Sequence, residues 1–183
     1  GSVAIESGNT LVGVAETVDV TGSDGVWVST TGAAMELSDG SAKLESSDVL
    51  EAVSGESMSL SSKNLLVSAG DAMDVIGGES LSVSSGSVGI ASSSDVDVQS
   101  LKMKLTASDG VDVVTGGDLG MSSSTATLES TGAVSMSSGS SMSMSGQSAS
   151  MSVASELDMT AEAATVRTGD SLTVHSGQSM SVT

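Results

Sequence analysis

Apolar residues along this chain come in pairs spaced Φ-x-Φ, and the pairs return every seven or eight residues. They run through Val26/Val28, Met58/Leu60, Leu65/Val67, Met73/Val75, Leu81/Val83, Val88/Ile90, Val96/Val98, Met103/Leu105, Val111/Val113 and Leu119/Met121. They continue through Val134/Met136, Met142/Met144, Leu157/Met159 and Leu172/Val174 to Met180/Val182. Alternation puts both members of a pair on one face of a short strand, and the Ser, Gly, Asp and Thr between pairs supply turns. A repeat this short predicts a solenoid.

From Leu60 on, the second members fall at Val67, Val75, Val83, Ile90, Val98, Leu105, Val113, Met121 and onward, with single steps of seven or eight and three steps summing to about 23. A chain that returns to the same face after three strands winds round a triangular prism, one strand to a side and one turn to a corner. The first fifth is less regular. Val3/Ile5, Val12/Val14, Val18/Val20 and Met35/Leu37 need steps of six to nine residues. The residues expected inside are Val26, Val28, Leu60, Val67, Val75, Val83, Ile90, Val98, Leu105, Val113, Met121, Met136, Met144, Met159, Val174 and Val182. Gly1-Ser2 reads as a cleavage scar and residues 3–183 as one continuous repeat domain, so the expectation is a fragment of a longer protein.

Composition narrows the class. The 183 residues include 22 Gly, one Trp, and no Pro, Cys, Phe or Tyr. Lack of cysteine removes a disulfide framework and any thiolate metal site. The chain is 38% hydrophobic with those residues phased along its length, unlike a disordered chain, and their period of two argues against helix. No apolar run is long enough for a membrane-spanning helix, and the N-terminus lacks the pattern of a signal peptide.

Charge is one-signed. Twenty-three acidic residues against Lys43, Lys63, Lys102, Lys104 and Arg167 leave a formal net charge of −18. Five scattered cations cannot form the basic stripe that phosphate binding requires, so nucleic acid is excluded as a partner, and an anionic membrane surface would repel the chain. Asp19, Glu36, Asp74, Asp97, Asp112 and Asp158 stand between the two members of an apolar pair and should point outward, as a solvated shell that discourages lateral association.

Two architectures satisfy a three-strand circuit. In a single-chain three-sided β-helix each strand lies on the strand one circuit earlier, and about 24 strands make roughly eight layers and 38 Å at the ~4.8 Å strand spacing. In an intertwined trimeric triple-stranded β-helix each strand lies on a neighbouring chain, and the same strands make roughly 24 layers and 110 Å. Three short, similar sides without an inward aromatic favour the homotrimer, because a threefold axis brings three copies of one side chain together and Met fills irregular gaps. The fold expectation is therefore all-β, a three-sided β-solenoid and an intertwined trimer, with the single-chain form as the alternative.

Segments such as Asp170-Ser-Leu-Thr-Val-His-Ser-Gly-Gln-Ser-Met-Ser-Val182 and Glu79-Ser-Leu-Ser-Val-Ser-Ser-Gly-Ser-Val-Gly-Ile90 resemble the octapeptide β-helix repeats of the central spike of contractile phage tails and of the type VI secretion spike. The resemblance covers nearly the whole chain. It implies a rigid, non-enzymatic shaft of a virion or injection machine, from a phage or a large DNA virus. Its partners would be its own copies, neighbouring spike, baseplate or vertex proteins, and transiently the host envelope. The localisation implied is virion or extracellular. Family spikes often end in a metal-bearing tip with a His-x-His pair; this chain has only His175 and no such tip.

Catalytic signals are sparse. His175 is the sole histidine for any Ser-His-Asp arrangement and reads better as a surface residue. Asp95 and Asp97 flank Val96, as the paired carboxylates of a glycan-cleaving β-helix would, but the cations and aromatics that hold sugar are missing. The glycine-aspartate nonapeptide of calcium β-rolls is absent, and Gly116-Gly117 begins a strand rather than a phosphate-binding helix. No catalytic, cofactor-binding or metal residue is expected. Trp27, between Val26 and Val28, should face outward. The second functional expectation is a monomeric extracellular β-solenoid that binds glycan, ice or a surface along one face.

Overall fold

The computed structural model describes residues 17–22, 25–30, 35–37 and 40–183. The expected pairs Val3/Ile5 and Val12/Val14 lie outside the described residues. Fourteen strands follow in chain order: β1 (Thr17–Gly22), β2 (Gly25–Thr30), β3 (Met35–Leu37), β4 (Ser41–Ser46), β5 (Val49–Ser54), β6 (Ser57–Ala69) and β7 (Met73–Ser92), then β8 (Val96–Thr115), β9 (Leu119–Ser130), β10 (Ala133–Ser138), β11 (Ser141–Val153), β12 (Glu156–Thr160), β13 (Ala163–Ser176) and β14 (Ser179–Val182). The longer strands continue round corners. β7 and β8 each take 20 residues because hydrogen bonding to the coil below persists through a turn.

All pairing among the described strands is parallel and within one chain. Ser57 lies on Ser80, Leu65 on Val88, Val98 on Met121 and Val134 on Leu157, each one full circuit further along the chain. The result is an all-β, parallel β-solenoid of about seven turns. The earliest coil takes one residue more, from Thr17 to Ser41 and from Gly25 to Val49, which accounts for the looser spacing of that part of the sequence.

Each apolar pair occupies one of three sides. Ala42, Leu65, Val88, Val111, Val134, Leu157 and Met180 stack as a column on the first side; Leu50, Met73, Val96, Leu119 and Met142 on the second; and Met58, Leu81, Met103, Ala126, Ala149 and Leu172 on the third. Of the residues expected inside, Val26, Leu60, Val67, Val83, Val98, Leu105, Val113, Met136, Met144 and Met159 are buried. Val28, Val75, Ile90 and Met121 are partly buried against that core. Val75, Ile90 and Met121 line an apolar void of about 50 Å³ with Leu60, Val83 and Val98. Val174 and Val182 depart from the expectation. They are 39% and 55% exposed, on strands that pair along one edge only among the described residues.

The corners are set by small residues. At one corner the inward positions are Ser46, Ala69, Ser92, Thr115, Ser138 and Ala161, one per circuit. Their buried hydroxyls bond to turn carbonyls: Ser138 Oγ donates to Gly117 O at 2.7 Å and to Ser141 O at 2.9 Å, and Thr115 Oγ1 donates to Ser94 O. Just outside, a Cβ on Gly139 would run into the backbone carbonyl of Gly116 one coil below, so close stacking there needs glycine. Gly40 opens its coil with φ of 64°, a left-handed conformation that glycine adopts without strain.

Candidate functional surfaces

Parallel stacking with a register of one circuit converts a sequence repeat into vertical rows of like side chains. On the second side the row is Trp27, Glu51, Asp74, Asp97 and Gly120. Adjacent rungs lie ~4.8 Å apart, so the three carboxylates repel one another. Burial, then the charges of Asp97 and Glu51, raise the pKa of Asp74 above the ordinary carboxylate value. Asp97 is relieved on its other flank by Gln99 Nε2, which donates to Asp97 Oδ2 at 2.7 Å.

A second row has the opposite electrostatics. Asp95 Oδ1 accepts from Asp118 N at 2.8 Å, and Asp118 Oδ1 accepts from Ser141 N at 3.0 Å and Ser141 Oγ at 2.8 Å. Each carboxylate thus takes up a backbone N–H at the turn one coil above. Hydrogen bonds from Ser141 and Ser140 hold Asp118 below its usual pKa. Asp95 and Asp97 therefore serve different rows. Asp95 bridges coils at a turn and Asp97 belongs to the acidic row, so they are not joined as a catalytic pair.

The remaining candidates are dispersed. His175 is exposed on β13, stacked on Ser152. Lys43 pairs with Glu45 at 2.5 Å and Lys104 with Glu129 at 3.5 Å, both in water. Trp27 is 64% exposed. Among the described residues no three His, Cys, Asp or Glu side chains converge in a way that could hold a metal ion, and no helix among them is long and apolar enough to cross a membrane. A surface groove of about 470 Å³ follows a corner through successive coils past Gly77, Ser100, Ser123 and Gly146; it is open and uncharged, with Leu101 exposed at its rim. In the sequence the carboxylate rows were legible only as scattered acids. Their spacing by one circuit is the signal that unites Glu51, Asp74 and Asp97, or Asp95 and Asp118.

No family model, curated protein or solved structure matches the chain.

Proposed function

We propose that the chain is a passive structural shaft, a stiff non-enzymatic segment of a viral or injection-machine spike or fibre, working outside the cell or in a virion. The observation that carries this reading is the unbroken parallel ladder through about seven turns, with short corners and no protruding loop among the residues from Gly40 on. Such a body resists bending because each coil is held by backbone hydrogen bonds on three sides and by a continuous apolar interior. Its −18 charge keeps the sides of neighbouring rods apart. Its partners in this role are further copies or neighbouring spike, baseplate or vertex proteins at its ends, with transient contact to a host envelope.

The single-chain form of the shaft fits the sequence better than the intertwined trimer. In a trimer, residues one circuit apart would be separated by three layers, ~14 Å, and would have no reason to match. Yet the single steps of seven and eight recur so that three of them sum to about 23, and Asp95 and Asp118 bond across that interval when each coil stacks on its own chain. Matching at one circuit is what direct stacking requires. Solution scattering coupled to mass measurement tests the reading. The expected result is a mass other than three times the 17.8 kDa of one chain, with the short, compact dimensions of about seven coils rather than those of a rod roughly three times as long. Saturable binding to a glycan array, or inhibition of ice recrystallisation, would instead favour a ligand-binding face and overturn the passive shaft.

A further inference from the structure

Methionine gathers where the second side turns into the third. Met121 ends an apolar pair on the second side, and Met144 lies directly on it one coil above. Round the corner, Met103 stacks under Ala126 and Met151 lies on Leu128. These four methionines line one void of about 10 Å³ together with Leu105 and Leu128. Met103, Met144 and Met151 are buried, and Met121 is partly buried against the same core.

Packing alone accounts for a methionine in the interior, since its rotatable bonds let it fill irregular gaps. Four of the chain's 11 methionines round a single opening is a more particular arrangement. The opening has about the volume of one water, but a buried water needs several polar partners, which leucine and methionine supply poorly. Thioether sulfur is instead a neutral, polarisable donor. It selects soft cations such as Cu(I) and discriminates against Ca²⁺ and Mg²⁺, which demand oxygen ligands. The chain has no cysteine thiolate to compete for such an ion. A monovalent cation loses less hydration on burial than a divalent one, and a protein of net charge −18 attracts it.

A second observation lies in the same corner. Ser123, two residues past Met121, is only 7% exposed, and its Oγ is buried without a hydrogen-bond partner. It also lines the corner groove, which Gly77, Ser100 and Gly146 wall with small residues. A hydroxyl oxygen free to accept stands there beside the methionine cluster.

We infer that Met103, Met121, Met144 and Met151 form a thioether site for one soft monovalent cation, Cu(I) or Ag(I), entered from the corner groove past Ser123. The site uses the stacking of each coil on its own chain, as the single-chain shaft does, and is independent of what the shaft supports.

Silver is the probe, because Ag(I) keeps its oxidation state without a reductant. The whole chain, carrying carbon-13 in its methionine methyl groups, is titrated with silver nitrate in chloride-free buffer; NMR reads the methyls, and native mass spectrometry counts ions and chains. The expected result is one silver ion retained per 17.8 kDa chain, with shifts at Met103, Met121, Met144 and Met151 and an unchanged β circular dichroism spectrum. Met144→Leu, apolar and of similar volume, should keep that spectrum and lose the ion. Met159→Leu, buried on the first side and away from the void, should retain it. If Met144→Leu does not fold, Met121→Leu, at the partly buried position, reads the same loss. Silver that shifts only the exposed Met180, or binds Met144→Leu as well as wild type, overturns the site. Uptake accompanied by loss of the β spectrum overturns it too. A 17.8 kDa species that retains no silver overturns the site and leaves the single-chain shaft standing. A three-chain species without silver overturns both.

Discussion

The interior coils and the final coil carry the same pattern with opposite results. Leu128 and Met151 are buried at 5%, while Val174, next in their column, is 39% exposed; Met136 and Met159 are buried at 1% and 6%, while Val182 above them is 55% exposed. Alternation directs a side chain inward. Burial comes from the coil on either side, so in a solenoid the energetic worth of a residue depends on its layer as much as on its identity.

Substituting charge at matched positions should break this comparison most strongly. Val98→Asp places an unpaired carboxylate in the core and is expected to cost at least ~4 kcal/mol, enough to unfold the chain or several coils of it. Val174→Asp, with the same alternation but water on its outer side, should cost no more than ~1 kcal/mol in urea titrations of dilute protein. Equal losses at the two sites would mean that the last coil is covered even in the isolated chain.

Corner glycines sharpen the contrast by a smaller amount. Gly139→Val drives a Cβ into the Gly116 carbonyl and should destabilise by ~2–3 kcal/mol, read as a lower thermal midpoint. At Gly169 an added Cβ meets Gln147 Cα at 3.8 Å, an ordinary contact, so Gly169→Val should change stability by under ~1 kcal/mol.

Buried hydroxyls differ more subtly still. Ser138→Ala loses two bonds to turn carbonyls and is expected to cost ~1 kcal/mol. Ser123 Oγ is buried without a hydrogen-bond partner, so Ser123→Ala should be neutral or slightly stabilising.

The smallest effect separates the two carboxylate rows. Because the folded pKa of Asp74 is raised, the folded state binds its proton more readily, and the penalty from its charge grows as pH rises through the folded pKa. With solvent screening much of the repulsion, Asp74→Asn should add no more than ~0.5 kcal/mol at about pH 7, an advantage that fades as pH falls through the raised folded pKa and the wild-type carboxyl is protonated. Asp118 has the reverse sign. Its folded pKa is lowered, so its contribution is present above the unfolded value and lost as pH falls through the folded one. Asp118→Asn should lower stability at neutral pH and converge on the wild type in acid, in paired unfolding curves.

Strands, corners and the three-strand circuit follow from the chain's local pattern. Pairs such as Val96/Val98 and Leu119/Met121 state which side chains face inward, and the intervals between pairs give the length of a circuit, because alternation and turn chemistry are local properties of the chain. Stacking settled what local pattern leaves open. It set Val98 on Met121, left a void beside Val75 and Ile90, exposed Val174 and Val182, and gave Asp74 and Asp118 opposite environments. One strand pattern is compatible with stacking on its own chain or on another, since each supplies the same hydrogen bonds and apolar contacts. The choice lies in which residues come to lie ~4.8 Å above one another, and that is a property of the assembled coil.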